Sequence, residues 1–152
     1  MRPERWRELL DGSIHGLDEL GIDFGDDTVG SFGVPGNNIG YNLGLPPNVQ
    51  VARQAVAADE QRYLFPLTPL GSGDNGRDLQ EIFFQGDHSD IGRGHGNDTR
   101  DLSFAPLFYI WSEGIRAGVP FGPLPDFTFT GNNTPHDLSS GFPYNIFPKR
   151  PR

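Results

Sequence analysis

Ile82-Phe83-Phe84-Gln85-Gly86-Asp87-His88-Ser89-Asp90-Ile91-Gly92-Arg93-Gly94-His95 is the stretch that decides the fold: an apolar run, read as a strand over residues 79–84, breaks into a glycine-rich loop crowded with imidazole and carboxylate. Open α/β sheets present reactive side chains in this way, because ligands sit beyond the carboxyl ends of parallel strands. Upstream, Ile22 and Phe24 alternate as in a second short strand, which Asp26-Asp27 ends. Between the two, residues 49–65 contain no Gly or Pro. Ala52, Ala55, Val56, Asp59 and Tyr63 fall there at three- and four-residue steps, which predicts a helix stopped by Pro66. Residues 102–118 predict a further helix, with Pro106 in its first turn or delaying its start.

The flanks are less regular. Residues 3–11 read as a short helix on the spacing of Trp6, Leu9 and Leu10, residues 31–48 as an excursion loop and residues 71–76 as a turn. Residues 120–152 read as an irregular C-terminal wrap whose Phe127, Phe129, Phe142, Tyr144 and Phe147 cover the body. The 21 Gly and 14 Pro among 152 residues set the loop-rich character, while 12 Phe, 4 Tyr and 2 Trp supply apolar area for a core. The expectation is therefore a single domain over 1–152, α/β, with a partial parallel sheet and flanking helices.

A formal charge of −8 argues against phosphate backbones, so no nucleic-acid partner is expected. No apolar run approaches a membrane span and no signal-peptide pattern is present, so the residues assign no compartment. With no cysteine, thiolate nucleophiles, disulfides and Cys-based zinc sites are excluded together.

Asp27 and His88 each follow an expected strand with a helix between, and a right-handed crossover puts both strand ends on one sheet edge. A carboxylate reaching an imidazole there would fix its tautomer and leave the other ring nitrogen to take a proton. An Asp at a strand end is more commonly a turn former. His88, Asp90, His95 and Asp98 also suggest a metal site, but their spacing matches no strong ligand motif, so neither metal nor cofactor is expected. Gly92-Arg93-Gly94-His95-Gly96 could cradle an anion, although such turns usually hold nothing. Arg53, Asp59, Glu60 and Arg62 read as the solvated, ion-paired face of the 49–65 helix. Phe104, Leu107, Phe108, Ile110, Trp111 and Ile115 read as core.

Three ordered segments carry a resemblance: Asp27-Thr28-Val29-Gly30-Ser31-Phe32-Gly33, then residues 52–62, then Phe84-Gln85-Gly86-Asp87-His88-Ser89-Asp90-Ile91-Gly92. With them the chain resembles the later part of an α/β-hydrolase family that includes the catalytic domain of type VI secretion phospholipase effectors. Residues 102–117 fall where that family has its last helix, and Thr134-Pro135-His136-Asp137 is also similar. The resemblance implies a serine esterase or phospholipase with nucleophile, acid and base in chain order. It implies Asp27 as the acid and His88 as the base, with Asp90, Gly86 and Gly92 supporting the loop; Asp90 is the alternative acid.

The departures matter as much. No Gly-x-Ser-x-Gly elbow occurs in the sequence, and neither Ser31 nor Ser89 has an elbow's surroundings. Arg93 stands where the family has glycine, and His95 where it has an aromatic residue. The chain is thus expected to be the carboxyl-terminal acid/base half of a hydrolase, inactive alone and acting on a lipid or ester substrate once completed by an upstream segment. The resemblance places it in the bacterial cytoplasm before type VI export. The alternative is a non-catalytic interaction module that pairs with a companion chain or forms a homo-oligomer through its sheet edge.

Overall fold

The computed structural model describes residues 22–26, 44–71, 76–95, 101–124 and 126–150, with the backbone alone for the first of these segments. Among the described residues, β1 (Ile22–Asp26), β2 (Val51–Ala57) and β3 (Asp78–Phe84) form a parallel sheet in that order. Ile22 lies opposite Val51 and Val51 opposite Asp78, while Ala57 lies opposite Phe84. The carboxyl ends of all three strands therefore share one edge. The strands expected around Ile22–Phe24 and over 79–84 are present.

The helix expected over 49–65 is not: its first half is the central strand β2 and the rest is turns. The reason is two-sided burial. Ala52, Gln54, Ala55, Val56 and Ala57 are each 0% exposed and Arg53 is 9% exposed, so no polar-apolar alternation survives to announce a strand. A run of alanines at mixed spacing then imitates a helix face, and tertiary packing overrides the alanine propensity. The strand-helix-strand crossover expected between Asp27 and His88 is replaced by β2 accordingly.

Arg53 and Arg62 are not solvated either. From mid-strand, Arg53 donates through Nε to Glu113 Oε2 at 2.7 Å and through a terminal nitrogen to Asp78 Oδ2 at 2.6 Å, joining β2, β3 and the following helix. Arg62 grips Glu60 with Nε at 2.9 Å and a terminal nitrogen at 2.5 Å, both side chains almost wholly buried. Burial of charge at this depth is tolerated because each guanidinium is hydrogen-bonded to an opposite charge. Arg62 also lies 3.7 Å from the centroid of Phe65 and 5.0 Å from that of Tyr144.

After the single helical turn α1 (His88–Ile91) comes α2 (Phe104–Arg116), matching the helix expected there, with Ser103 as N-cap and Pro106 within its first turn. At that position the missing N–H of proline costs no helical bond. Its Ile110 joins Ala55, Ala57, Ile91 and Val119 in the core, with Phe84, Tyr109, Ala117 and Phe121 packed around them. Beyond 120 the described residues are irregular apart from two 3-10 turns, Leu138–Ser140 and Tyr144–Ile146. Tyr144 packs edge-on against Phe65, Phe147 stacks on Tyr63, and the Arg150 N–H donates to the Gln61 carbonyl at 2.9 Å. Phe129 and Phe142 instead stand 61% and 84% exposed. No helix among the described residues is long and apolar enough to cross a membrane.

Candidate active site

Immediately beyond β3 the chain turns at Gly86 into a single helical turn, α1 (His88–Ile91). A helix this short has little cooperativity of its own and depends on its caps. Asp87 Oδ1 accepts the Asp90 N–H at 2.8 Å, and Asp90 Oδ2 accepts the Asp87 N–H at 2.9 Å, a reciprocal capping box. Gly86 makes it possible. Its φ is +126°, and a Cβ there would lie 2.5 Å from Asp90 Cβ. The Gly86 N–H donates to Asp59 Oδ2 at 2.8 Å, and the Asp59 N–H to the Gly86 carbonyl at 3.0 Å, tying the turn to the end of β2. Gly92, the other supporting glycine expected, has φ −82° and would place a Cβ at ordinary contact, 3.4 Å from the His88 carbonyl.

Asp90 is the centre of the arrangement. It is 4% exposed, and its carboxylate meets His136, 46 residues later: Oδ2 accepts the His136 N–H at 3.0 Å and Oδ1 lies 2.5 Å from Nδ1. Burial alone would raise the Asp90 pKa, but the backbone N–H groups of His136 and Asp87 and the His136 ring outweigh it, so the group is held below the ordinary value. An ionised carboxylate only accepts, so the ring nitrogen facing it, Nδ1, is the donor, and in the neutral tautomer that this bond selects Nε2 holds the lone pair.

His136 arrives on an irregular arm, and its placement rests on local hydrogen bonds. Asp101 accepts the Thr130 N–H at 3.0 Å, the Thr130 hydroxyl at 3.2 Å and the Gly131 N–H at 2.7 Å. These bonds, led by the Thr130 N–H, lower the Asp101 pKa against the effect of desolvation. On the far side Asp137 accepts the Ser139 N–H at 3.0 Å and caps the Leu138–Ser140 turn.

A second imidazole covers the first. The His95 ring stacks on His136 with centroids 3.6 Å apart and planes 19° from parallel. Its Nε2 lies 3.3 Å from Asp87 Oδ1 and 3.7 Å from Asp90 Oδ1. Arg93, between Asp90 and His95 in sequence, has φ +55°, a left-handed conformation that favours glycine.

His88 faces elsewhere. Its N–H donates to Glu60 Oε2 at 3.2 Å, and its ring packs on Phe65 with centroids 5.4 Å apart. Asp27 and Asp98 lie outside the described residues, as do Ser31 and residues 3–11. Of the metal candidates His88, Asp90, His95 and Asp98, the structure brings Asp90 and His95 together and adds His136. Sequence reasoning missed His136 as a site residue because it sits where no strand or helix pattern could place it. Its signal was the similarity of Thr134-Pro135-His136-Asp137 alone.

A family model described as "T6SS, Phospholipase effector Tle1-like, catalytic domain" matches residues 25–113, more than half of the chain, with Asp90 inside the match and His136 beyond it. No curated protein and no solved structure matches.

Proposed function

The chain belongs to the Tle1-like catalytic-domain family of type VI secretion phospholipase effectors, and from that premise we propose that it supplies the acid and base of a lipase-like serine hydrolase, Asp90 being the acid and His136 the base. The observation that carries the reading is the Asp90 Oδ1 to His136 Nδ1 contact at 2.5 Å, made by a buried carboxylate whose other oxygen is already held by two backbone N–H groups.

In such a reaction Nε2 of His136 takes the proton of a serine hydroxyl as its oxygen attacks the ester carbonyl. The ring becomes imidazolium, stabilised by Asp90 through Nδ1–H, and returns the proton to the leaving alkoxide. The sequence contains no Gly-x-Ser-x-Gly segment, so in this reading the nucleophile and oxyanion hole come from polypeptide outside it, upstream or on a companion chain. The three parallel strands with the site beyond their carboxyl edge fit the later part of an α/β-hydrolase sheet. The substrate is a lipid or other ester.

Proton NMR tests the pair: a strongly downfield imidazole N–H is expected, absent in Asp90→Asn and in His136→Gln and retained in His88→Gln. Its retention in Asp90→Asn would sink the assignment. Fluorophosphonate should leave the chain unlabelled, and a labelled serine would show that the nucleophile lies within it.

A non-catalytic interaction module is the second reading, favoured by β3. Among the described residues this strand pairs on one side alone, and its Phe83 is 54% exposed. Sedimentation as a monomer at all concentrations would count against it.

A further inference from the structure

We propose that Asp90, His95 and His136, backed by Asp87, form a zinc site whose occupation switches off the acid–base pair. Ligand atoms from Asp90, His95 and His136 all lie within 4.8 Å of one another. Zinc bound to imidazole nitrogen and carboxylate oxygen at about 2.0–2.2 Å in tetrahedral geometry sets neighbouring donors about 3.3 Å apart. The observed separations from Asp90 Oδ1, 2.5 Å to His136 Nδ1 and 3.7 Å to His95 Nε2, bracket that figure. Two nitrogen donors favour zinc over calcium or magnesium, which take oxygen.

Charge and hydrogen bonding point the same way. Asp87 and Asp90 are 2% and 4% exposed, three residues apart, and their side chains face the two imidazoles. Asp87 Oδ2 is buried without a hydrogen-bond partner, a costly state for a carboxylate oxygen. Arg62 acts on Asp87 through charge, but its guanidinium hydrogen bonds go to Glu60. A divalent cation would neutralise both carboxylates without protonating either ring, and a water bound to it would give Asp87 Oδ2 a partner.

The regulatory half rests on the acid–base reading above. Zinc at Nδ1 of His136 takes the lone pair of that nitrogen, so the single proton of the neutral ring moves through solvent from Nδ1 to Nε2. The lone pair that would accept the serine proton is then gone, and Asp90 is engaged by the metal.

The test uses the full chain, freed of metal by a chelator and titrated with Zn²⁺ alone in a calorimeter. One ion per chain is expected, bound at least about tenfold more weakly by His95→Phe, which keeps a stacked ring but no donor. His88→Gln should match the parent. X-ray absorption of the zinc-loaded parent needs no variant and should show two imidazoles with oxygen ligands. No saturable uptake, equal uptake by His95→Phe, loss in His88→Gln, or a shell without two imidazoles would each overturn the site. Because uptake is read without an ester, zinc binding in a chain that lacks the downfield N–H sinks the acid–base reading alone, and the reverse result sinks the zinc site alone.

Discussion

Asp101 Oδ2 lies 2.7 Å from the Gly131 N–H, and this bond, made by a side chain just ahead of α2, fixes the beginning of the arm that carries His136 to Asp90. Asp101 is thus a positioning residue for a ring it does not touch. Asp101→Ala is expected to weaken the downfield Asp90–His136 N–H resonance and to speed amide exchange at Thr130 and Gly131, with exchange in β2 unchanged. Asp101→Asn keeps one carbonyl acceptor and should fall between.

Gly86 carries the conformational demand of the turn, and Gly92 does not. Gly86→Ala meets both a φ of +126° and a 2.5 Å approach to Asp90 Cβ, and is expected to cost about 3 kcal/mol in urea unfolding. Gly92→Ala should stay within about 0.5 kcal/mol of the parent.

Arg93 holds a left-handed conformation at φ +55°, and among the described residues its guanidinium lies over the Phe127 ring, 5.9 Å from the centroid. Arg93→Gly is expected to raise stability by about 0.5–1 kcal/mol, relief of strain exceeding the added freedom of the unfolded chain. A lower unfolding midpoint in Arg93→Gly would contradict this.

The buried Glu60–Arg62 pair predicts a pH dependence. Desolvation pushes the Glu60 pKa up, yet the hydrogen bonds and charge of Arg62, with the His88 N–H, hold it below its ordinary value of 4.5. A carboxyl depressed on folding stabilises fully above its unfolded pKa and loses that contribution as pH falls through the folded value. Stability should therefore drop as the pH is lowered below about 4.5, and Glu60→Gln should flatten that limb. At neutral pH Glu60→Gln should cost about 3 kcal/mol, because Arg62 stays buried without its counter-charge.

How much of this was legible depended on where each segment sits in the layers. β1 and β3 announced themselves through alternation or an apolar run ended by turn residues, and α2 through apolar residues around a proline tolerated in its first turn. β2 was misread because a strand covered on both faces has no solvent side to write into its sequence, and its buried Arg53 looked like surface. Asp90 was recognised as part of a reactive loop, since Gly86 and the polar cluster follow β3 directly. His136 could not be placed. Its position depends on Asp101 and Asp90, hydrogen bonds that span 30 and 46 residues and leave no periodic trace in the arm between.

That 46-residue gap also orders events at the ribosome. Asp90 and its cap are synthesised 46 residues ahead of His136, so a growing chain first holds a carboxylate without that ring to serve. Any proton-transfer capacity of this pair is switched on only once translation has passed beyond His136.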